Sequence, residues 1–316
     1  MPRGEFDRIA RLSSIFGETT HPDLGIGDDA AVLHPRGTLV ATVDAAVEAV
    51  HFRRDLLSLE EASSRAIEAA ASDVAAMGAT LSGSGCGLLL AWTLPRDLSD
   101  GDFDALLTGA RRAADRLSTH IVGGNLAAAS AITLTTTALG RCVERPVLRR
   151  GARAGDVVAV SGAVGTAALG LRALLAGRGD EAWAATVVRA WRRPLARVDL
   201  AHEIAHVATA AIDISDGLVQ DAEHLARASS CGVRLRAESL PIGSDHRLAA
   251  DELKVDAIDI ALHGGEDYEV LVTAPRGALS ANWHEIGEVV DGAGVSVSRG
   301  GVTRRFAPAG WDHFRE

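Results

Sequence analysis

Excess positive charge is missing from this 316-residue chain: 42 acidic residues outnumber 32 basic ones, for a formal charge of -10. A protein that grips nucleic acid without sequence preference needs a cationic face, and a protein held on anionic lipid needs a polybasic patch. Cysteine is also scarce. Cys86, Cys142 and Cys231 are far apart, odd in number and free of any CxxC pair. That excludes a zinc ribbon or a CxxC redox motif and fits reduced, buried thiols. No apolar run is long enough to span a bilayer. The N-terminal MPRGEFDRIARL carries charges through its first turns and lacks the apolar segment of a secretion signal. Low-complexity segments and short repeats are absent. So are the GxxxxGK[ST] phosphate loop and the protein-kinase catalytic loop. These absences together describe a soluble, cytoplasmic globular protein with no nucleic-acid or membrane partner.

What is present is ordinary globular material: 47 % hydrophobic and 23 % charged residues, enough for two domains with real cores. Helical spacing of Phe6, Ile9, Ala10 and Ile15 predicts a helix over Glu5–Phe16. Leu59–Met77 reads as a long alanine-rich helix, with Ser58 and Glu61 spaced as a capping box. Further helices are expected over Asp100–Leu117, Thr166–Ala176 and a region from Trp183 to Val207, with another opened by Asp213–Leu218. Strands are expected at Thr38–Asp44, Gly85–Leu94, His120–Val122, Ala131–Leu139, Val157–Ser161 and Val233–Arg236. These elements mix without a strict strand–helix–strand period, which favours mixed α/β or α+β architecture over a doubly wound sheet. A change of texture near Arg149-Arg150-Gly151 puts a boundary near residue 145, between a strand-heavy first half and a helix-heavy second half.

The chemistry is carried by aspartates in small-residue settings: Asp28 and Asp29 in GIGDDAAVL, Asp44 in ATVDAAVEAVHF, Asp73 in ASDVAAMGA, and Asp213 and Asp216 in DISDGL. Gly, Ala and Ser neighbours let backbone approach a ligand closely. Mg²⁺ takes oxygen ligands, commonly one or two carboxylates plus phosphate oxygens, and gathered carboxylates need such a counter-charge. The pattern fits a Mg²⁺–nucleotide enzyme, because phosphoryl transfer needs mainly positioning and charge neutralisation. Each motif alone has a plainer reading. Asp216 before Gly217 also reads as a helix cap, and Gly264-Gly265-Glu266-Asp267 as a turn into a strand. Arg149, beside Arg150 and Arg153, also reads as a solvated turn, His51 as a half-buried histidine, and Trp311 as a residue packing the tail.

Taken in order, GEFDRIARL, GIGDDAAVL, ATVDAAVEAVHF, SDVAAMGA, VGGN, RRGARAGD, SGAVGTAALGL, DISDGL, GGEDYEVL and GWDHF resemble the thiamine-monophosphate kinase family from end to end. That family shares a superfamily with aminoimidazole ribonucleotide synthetase and selenophosphate synthetase. The resemblance implies an N-terminal α/β domain over 1–145, whose strands build a barrel in a homodimer. It implies a C-terminal α+β domain over 146–316, with ATP and several Mg²⁺ as co-substrate and cofactor and thiamine monophosphate as acceptor. It further implies Asp28, Thr42, Asp44, Asp73, Asp213, Asp216 and Asn125 as metal-site residues. By the same resemblance Gly124, Asn125, Arg149 and Ser215 touch ATP, while His51, Glu266 and Trp311 touch the acceptor. Arg149 is a fixed cation suited to phosphate, and Trp311 offers a flat face to a cationic ring.

Four positions depart from the family pattern: Val43 where TTD has threonine, Ala49 where EGVHF has glycine, Ala70 where asparagine is usual, and Asn125 where GGDT has aspartate. Val43 and Asn125 are expected to weaken one and the same magnesium position, since an amide cannot offset the charge of a dication. The alternatives are then an active or weakened kinase, a divergent paralogue using another phosphorylated small molecule, and a nucleotide binder without catalysis. A scaffold role for the alanine-rich helix leaves the motifs at both ends of the chain unexplained.

Overall fold

The computed structural model describes residues 4–17, 25–26 and 30–306; Asp28, Asp29 and Trp311 lie outside the described residues. The chain divides into two compact units, Met1–Val74 with Ala79–Val143, and Ala75–Gly78 with Glu144–Glu316. Both are mixed α/β. Among the described residues no helix is long and apolar enough to cross a membrane.

In the first unit the elements run α1 (Glu5–Phe16), β1 (Leu39–Val47), α2 (Leu59–Ala76), β2 (Ala79–Thr80), β3 (Gly87–Leu94), α3 (Asp100–Arg116), β4 (Ile121–Ala128) and β5 (Thr133–Cys142). The sheet order is β1-β5-β3-β4, with β2 on β5. Only the β3–β4 pair is parallel. Strict alternation on β5 explains how the sheet is used. Leu134, Thr136, Ala138, Gly140 and Cys142 are buried, and the residues between them are half-buried. Helix α2 lies on the buried face, since Val74 sits directly over Gly140. Its start is the expected box: the Ser58 and Glu61 side chains and backbones exchange hydrogen bonds of 3.0–3.2 Å. Helix α3 joins α2 through Ser63, whose hydroxyl donates to the Leu106 carbonyl, and through the Arg116–Glu68 ion pair. The opposite face of the sheet is open, with Val43 63 % exposed and Leu39, Ala91 and Asn125 also exposed.

One expectation changes here. The strand expected to stop at Val122 continues through Gly123-Gly124-Asn125 to Ala128, because it pairs in parallel with β3 along its length. Glycine is required at 124, where a Cβ would lie 2.0 Å from the Leu90 carbonyl oxygen. Glycine reads as a turn in sequence but here marks close approach of two backbones.

The second unit contains β6 (Val157–Val160), α4 (Thr166–Leu175), α5 (Ala185–Arg192), α6 (Ala201–Val207), β7 (Ala210–Asp213), α7 (Leu218–Ser229), β8 (Gly232–Arg236), α8 (Ser244–Leu253), α9 (Ala257–His263), β9 (Val270–Ala274), β10 (His284–Val290), β11 (Gly294–Arg299) and β12 (Val302–Phe306). The last seven-stranded sheet has the order β12-β11-β8-β10-β6-β9-β7. The second half is helix-rich, as expected, and also carries this seven-stranded sheet. Strands β7 and β10–β12 were not expected: β7 is four buried residues with no periodicity to read, whereas β10–β12 are largely half-buried or exposed and owe their place to pairing with distant segments. The helix expected from Trp183 to Val207 is broken between α5 and α6, where Pro194 cannot donate a helical hydrogen bond. Helix α7 covers one sheet face with Leu218, Val219, Ala222 and Leu225 against Val233, Leu235, Val295 and Val297. Leu200, Ile204 and Trp283 cover Ala159, Ala211 and Val272 on the other. Cys86, Cys142 and Cys231 are buried and form no disulfide among the described residues.

A tight turn follows β1, with Ala49 at φ 66 in the left-handed region that favours glycine. Ala49→Gly should relieve that strain and raise stability by about 0.5–1 kcal/mol, net of glycine's greater unfolded-state freedom. A thermal melt should show a rise of about 1–4 °C; an equal fall would mean the turn tolerates Ala49 without strain.

Candidate functional site

In the first unit, β1 and α2 bring three of the expected residues together. Thr42 and Asp44 project from alternate positions of β1 onto the face covered by α2. From α2 the Asp73 carboxylate accepts the Thr42 hydroxyl proton at 2.6 Å. Burial, and then the charge of Asp73, push the Asp44 carboxyl up to about 6. The donors are two carboxylates and a hydroxyl, hard oxygen ligands suited to Mg²⁺. Among the described residues no three His, Cys, Asp or Glu side chains form a closed metal cage. A pair of carboxylates that leaves the remaining ligands to water and phosphate is the usual Mg²⁺ arrangement. The residues present therefore fit the metal.

Asn125 does not join them. Register pairs Asn125 with Ala91, Ala91 with Thr135, and Thr135 with Ala45. Laterally paired residues share a face, so Asn125 lies on the open face and Asp44 on the covered one. Val43 and Asn125 share the open face but are separated by β5 and β3, about 14 Å across three strand spacings. The expectation that both weaken one magnesium position fails within a single chain. Sequence reasoning had no register with which to see this. Ala70 is buried on α2, one turn before Asp73. His51 closes the turn after β1: its Nδ1 accepts the Val47 N–H at 3.0 Å, so the proton of the neutral ring sits on Nε2.

In the second unit two loops are laced together. Glu266 N–H donates to the Ser215 carbonyl, Tyr268 N–H to that of Ile214, and Ile214 N–H to that of Glu269. Gly265 permits this, since a Cβ there would meet the Ser215 carbonyl oxygen at 2.4 Å. Glu266 and Tyr268 both take left-handed backbone, φ 67 and 53, strain that only an over-determined loop sustains. The Asp213 side chain is buried at the end of β7, while Ser215 and Asp216 are half-buried. Asp216 does not cap α7. Gly217 holds that position, and Asp221 reaches back instead: one of its oxygens accepts the N–H groups of Ser215, Asp216 and Gly217 at 3.1–3.2 Å. Burial, then Asp213 and Asp216, push the Asp221 carboxyl up to about 8 against the pull of those N–H groups.

The GGEDYE segment is no ordinary turn. Asp267 accepts the N–H groups of Gly165 and Ala167 at the start of α4, and burial pushes its carboxyl up to about 7. Glu269 is paired with Arg197 at 2.8 Å and also accepts the Ser161 hydroxyl. Glu266 accepts the indole N–H of buried Trp191 at 2.8 Å. Arg149 is exposed. Sequence reasoning missed Asp221, Asp267, Arg197 and Trp191. Asp221 had a signal, an acid in the first turn of a helix opened by Gly217. Trp191 had none, standing 75 residues from its partner.

The family described as AIR synthase related protein, N-terminal domain, matches residues 27–142. A thiamine-monophosphate kinase of Aquifex aeolicus is 36 % identical over 293 residues, covering 92 % of each chain. One of Mycobacterium tuberculosis is 34 % identical over 320 residues, covering 99 % of this chain and 92 % of its own. The structure of AaThiL complexed with AMPPCP and TMP is similar at 31 % identity and a TM-score of 0.81, covering 98 % of this chain and 97 % of that one.

Two outcomes follow from this geometry. The folded protein holds a proton on Asp44 more tightly than the unfolded chain does, so metal-free stability should fall as pH rises from about 4 to about 6. Asp44→Asn should flatten that decline and stabilise the metal-free protein at pH 7–8 by about 1–2 kcal/mol, allowing for partial solvent screening. An unchanged pH profile in melts of the variant would remove Asp44 from this account. Trp191→Phe keeps an aromatic ring in the core, at some loss of packed volume, and deletes the bond to Glu266. If Glu266 touches the acceptor, the acceptor KM should rise about tenfold while the ATP KM stays put, as for a lost hydrogen bond to a charge. A parallel rise in both constants would contradict that role.

Proposed function

The chain belongs to the thiamine-monophosphate kinase family, and on that premise we propose that it transfers the terminal phosphoryl group of ATP to the phosphate of thiamine monophosphate, giving thiamine diphosphate and ADP. The observation that carries this reading is the Thr42–Asp44–Asp73 group, two carboxylates and a hydroxyl brought together by β1 and α2. In one chemical step the bond from the γ-phosphorus to the bridging oxygen breaks, and a bond to an oxygen of the acceptor phosphate forms. That oxygen is already an anion near neutral pH, so the reaction calls for no general base and none is assigned.

Mg²⁺, when bound, would supply positive charge to offset the charge that builds up during phosphoryl transfer. The chain's own contribution is placement. Thr42, Asp44 and Asp73 hold metal in the first unit, joined by Asp28 as the family pattern implies. Asp213 and Asp216 do so in the second, on a loop stiffened by Asp221. Gly124, Asn125, Arg149 and Ser215 meet ATP. His51, Glu266 and Trp311 meet the acceptor, with Trp191 fixing the Glu266 carboxylate.

A homodimer built through the first unit's sheet belongs to the same reading. The open face with Leu39, Val43 and Ala91 is apolar surface that a second copy would cover. Such a pairing, not a single chain, is what would carry Asn125 toward a metal. A cytoplasmic location, where ATP is abundant and thiols stay reduced, also goes with it.

The test is ADP release with ATP, Mg²⁺ and thiamine monophosphate, against the same mixture with other phosphorylated small molecules. Wild type should prefer thiamine monophosphate. Asp73→Ala should abolish release without lowering the melting temperature, because removing one of two close carboxylates relieves repulsion. Mg²⁺–ATP binding with faster turnover of a different phosphorylated acceptor would favour the divergent-paralogue reading instead.

A further inference from the structure

Thr136 stands in the middle of β5, directly opposite Asp44 in the antiparallel ladder. Paired residues project to the same face with Cβ atoms about 4.5–5.5 Å apart. That face is the one α2 covers, from which Asp73 reaches Thr42. Thr136 is 0 % exposed, and its Oγ1 has no hydrogen-bond partner among the described residues. Its neighbours on the same face of β5 are apolar, Leu134 and Ala138. The other threonines of the strand, Thr133, Thr135 and Thr137, alternate to the open face, where water can serve them. A buried hydroxyl without a partner is a net cost that valine, nearly the same shape, would avoid. The cost is explained if the hydroxyl has work to do when the site is filled.

We propose that Thr136 is a positioning residue of the Thr42–Asp44–Asp73 group. Its hydroxyl donates to one oxygen of the Asp44 carboxylate when a divalent cation occupies the other, and so sets the direction in which Asp44 offers itself to the metal. The inference rests on the divalent-cation reading above and extends it to a residue outside the implied ligand set. Thr136 itself does not touch the metal. It lies across the strand pair from Asp44, as groups that orient metal ligands commonly lie beside them.

Wild type, Thr136→Val and Thr136→Ser would be compared by thermal melting without metal and along a Mg²⁺ titration, and by the Mg²⁺ dependence of ATP binding in calorimetry. Without metal, Thr136→Val should melt at or above the wild-type temperature. Its Mg²⁺ midpoint should rise about tenfold, the size expected for losing a hydrogen bond to a charged group. Thr136→Ser keeps the hydroxyl and should hold a near-wild-type midpoint while melting somewhat lower for its lost methyl. A Thr136→Val midpoint within about twofold of wild type overturns the proposal, and so does a serine variant as impaired as the valine one. No Mg²⁺ response in wild type would instead sink the divalent-cation reading itself, and the role of Thr136 with it.

Discussion

Like-charged carboxylates held close together are the constraint around which both units are arranged. In the first, Asp44 and Asp73 share the covered face of a sheet, and burial with mutual repulsion lifts Asp44 toward neutrality. In the second, Asp213, Asp216 and Asp221 crowd one loop, and Asp221 stays in place by gathering three backbone N–H groups. Nothing in folding calls for such clusters, since each is a cost that a well-packed apolar cluster would not incur. They make sense as sites that a divalent cation and polyphosphate complete.

The two units meet that constraint in different ways. The first uses regular structure: strand alternation aims Thr42 and Asp44 at α2, and helix spacing presents Asp73. The second uses irregular backbone. Left-handed Glu266 and Tyr268, glycine at 265 and a ladder of backbone hydrogen bonds tie GGEDYE to DISDGL. Trp191, Arg197 and the start of α4 each take one acid of that segment, Glu266, Glu269 and Asp267 respectively. Strain of this kind is kept where a side chain must point in one direction.

Local signals were legible in the sequence and non-local ones were not. The Ser58–Glu61 box, the helical spacing behind α1, and the strand character of β1 and the Thr-rich β5 each depend on residues within a few positions, and each can be read directly. The small-residue settings of Asp44 and Asp73 carried the site for the same reason. The continuation of β4 through Gly124 depends on β3 lying alongside, and the strands β10–β12 depend on a sheet assembled from distant segments. The separation of Val43 from Asn125 is a matter of strand order, which no spacing encodes. Trp191 and Thr136 acquire meaning only from partners brought close by the fold.

The claim at the centre is that these carboxylates serve phosphoryl transfer to thiamine monophosphate. Phosphorus NMR of the protein with ATP, thiamine monophosphate and Mg²⁺ follows the transferred group directly. The account predicts that the diphosphate resonances of thiamine diphosphate and ADP grow together, and that neither appears when Mg²⁺ is chelated. ATP signals perturbed by binding, with no thiamine diphosphate formed at any Mg²⁺ concentration, would contradict it.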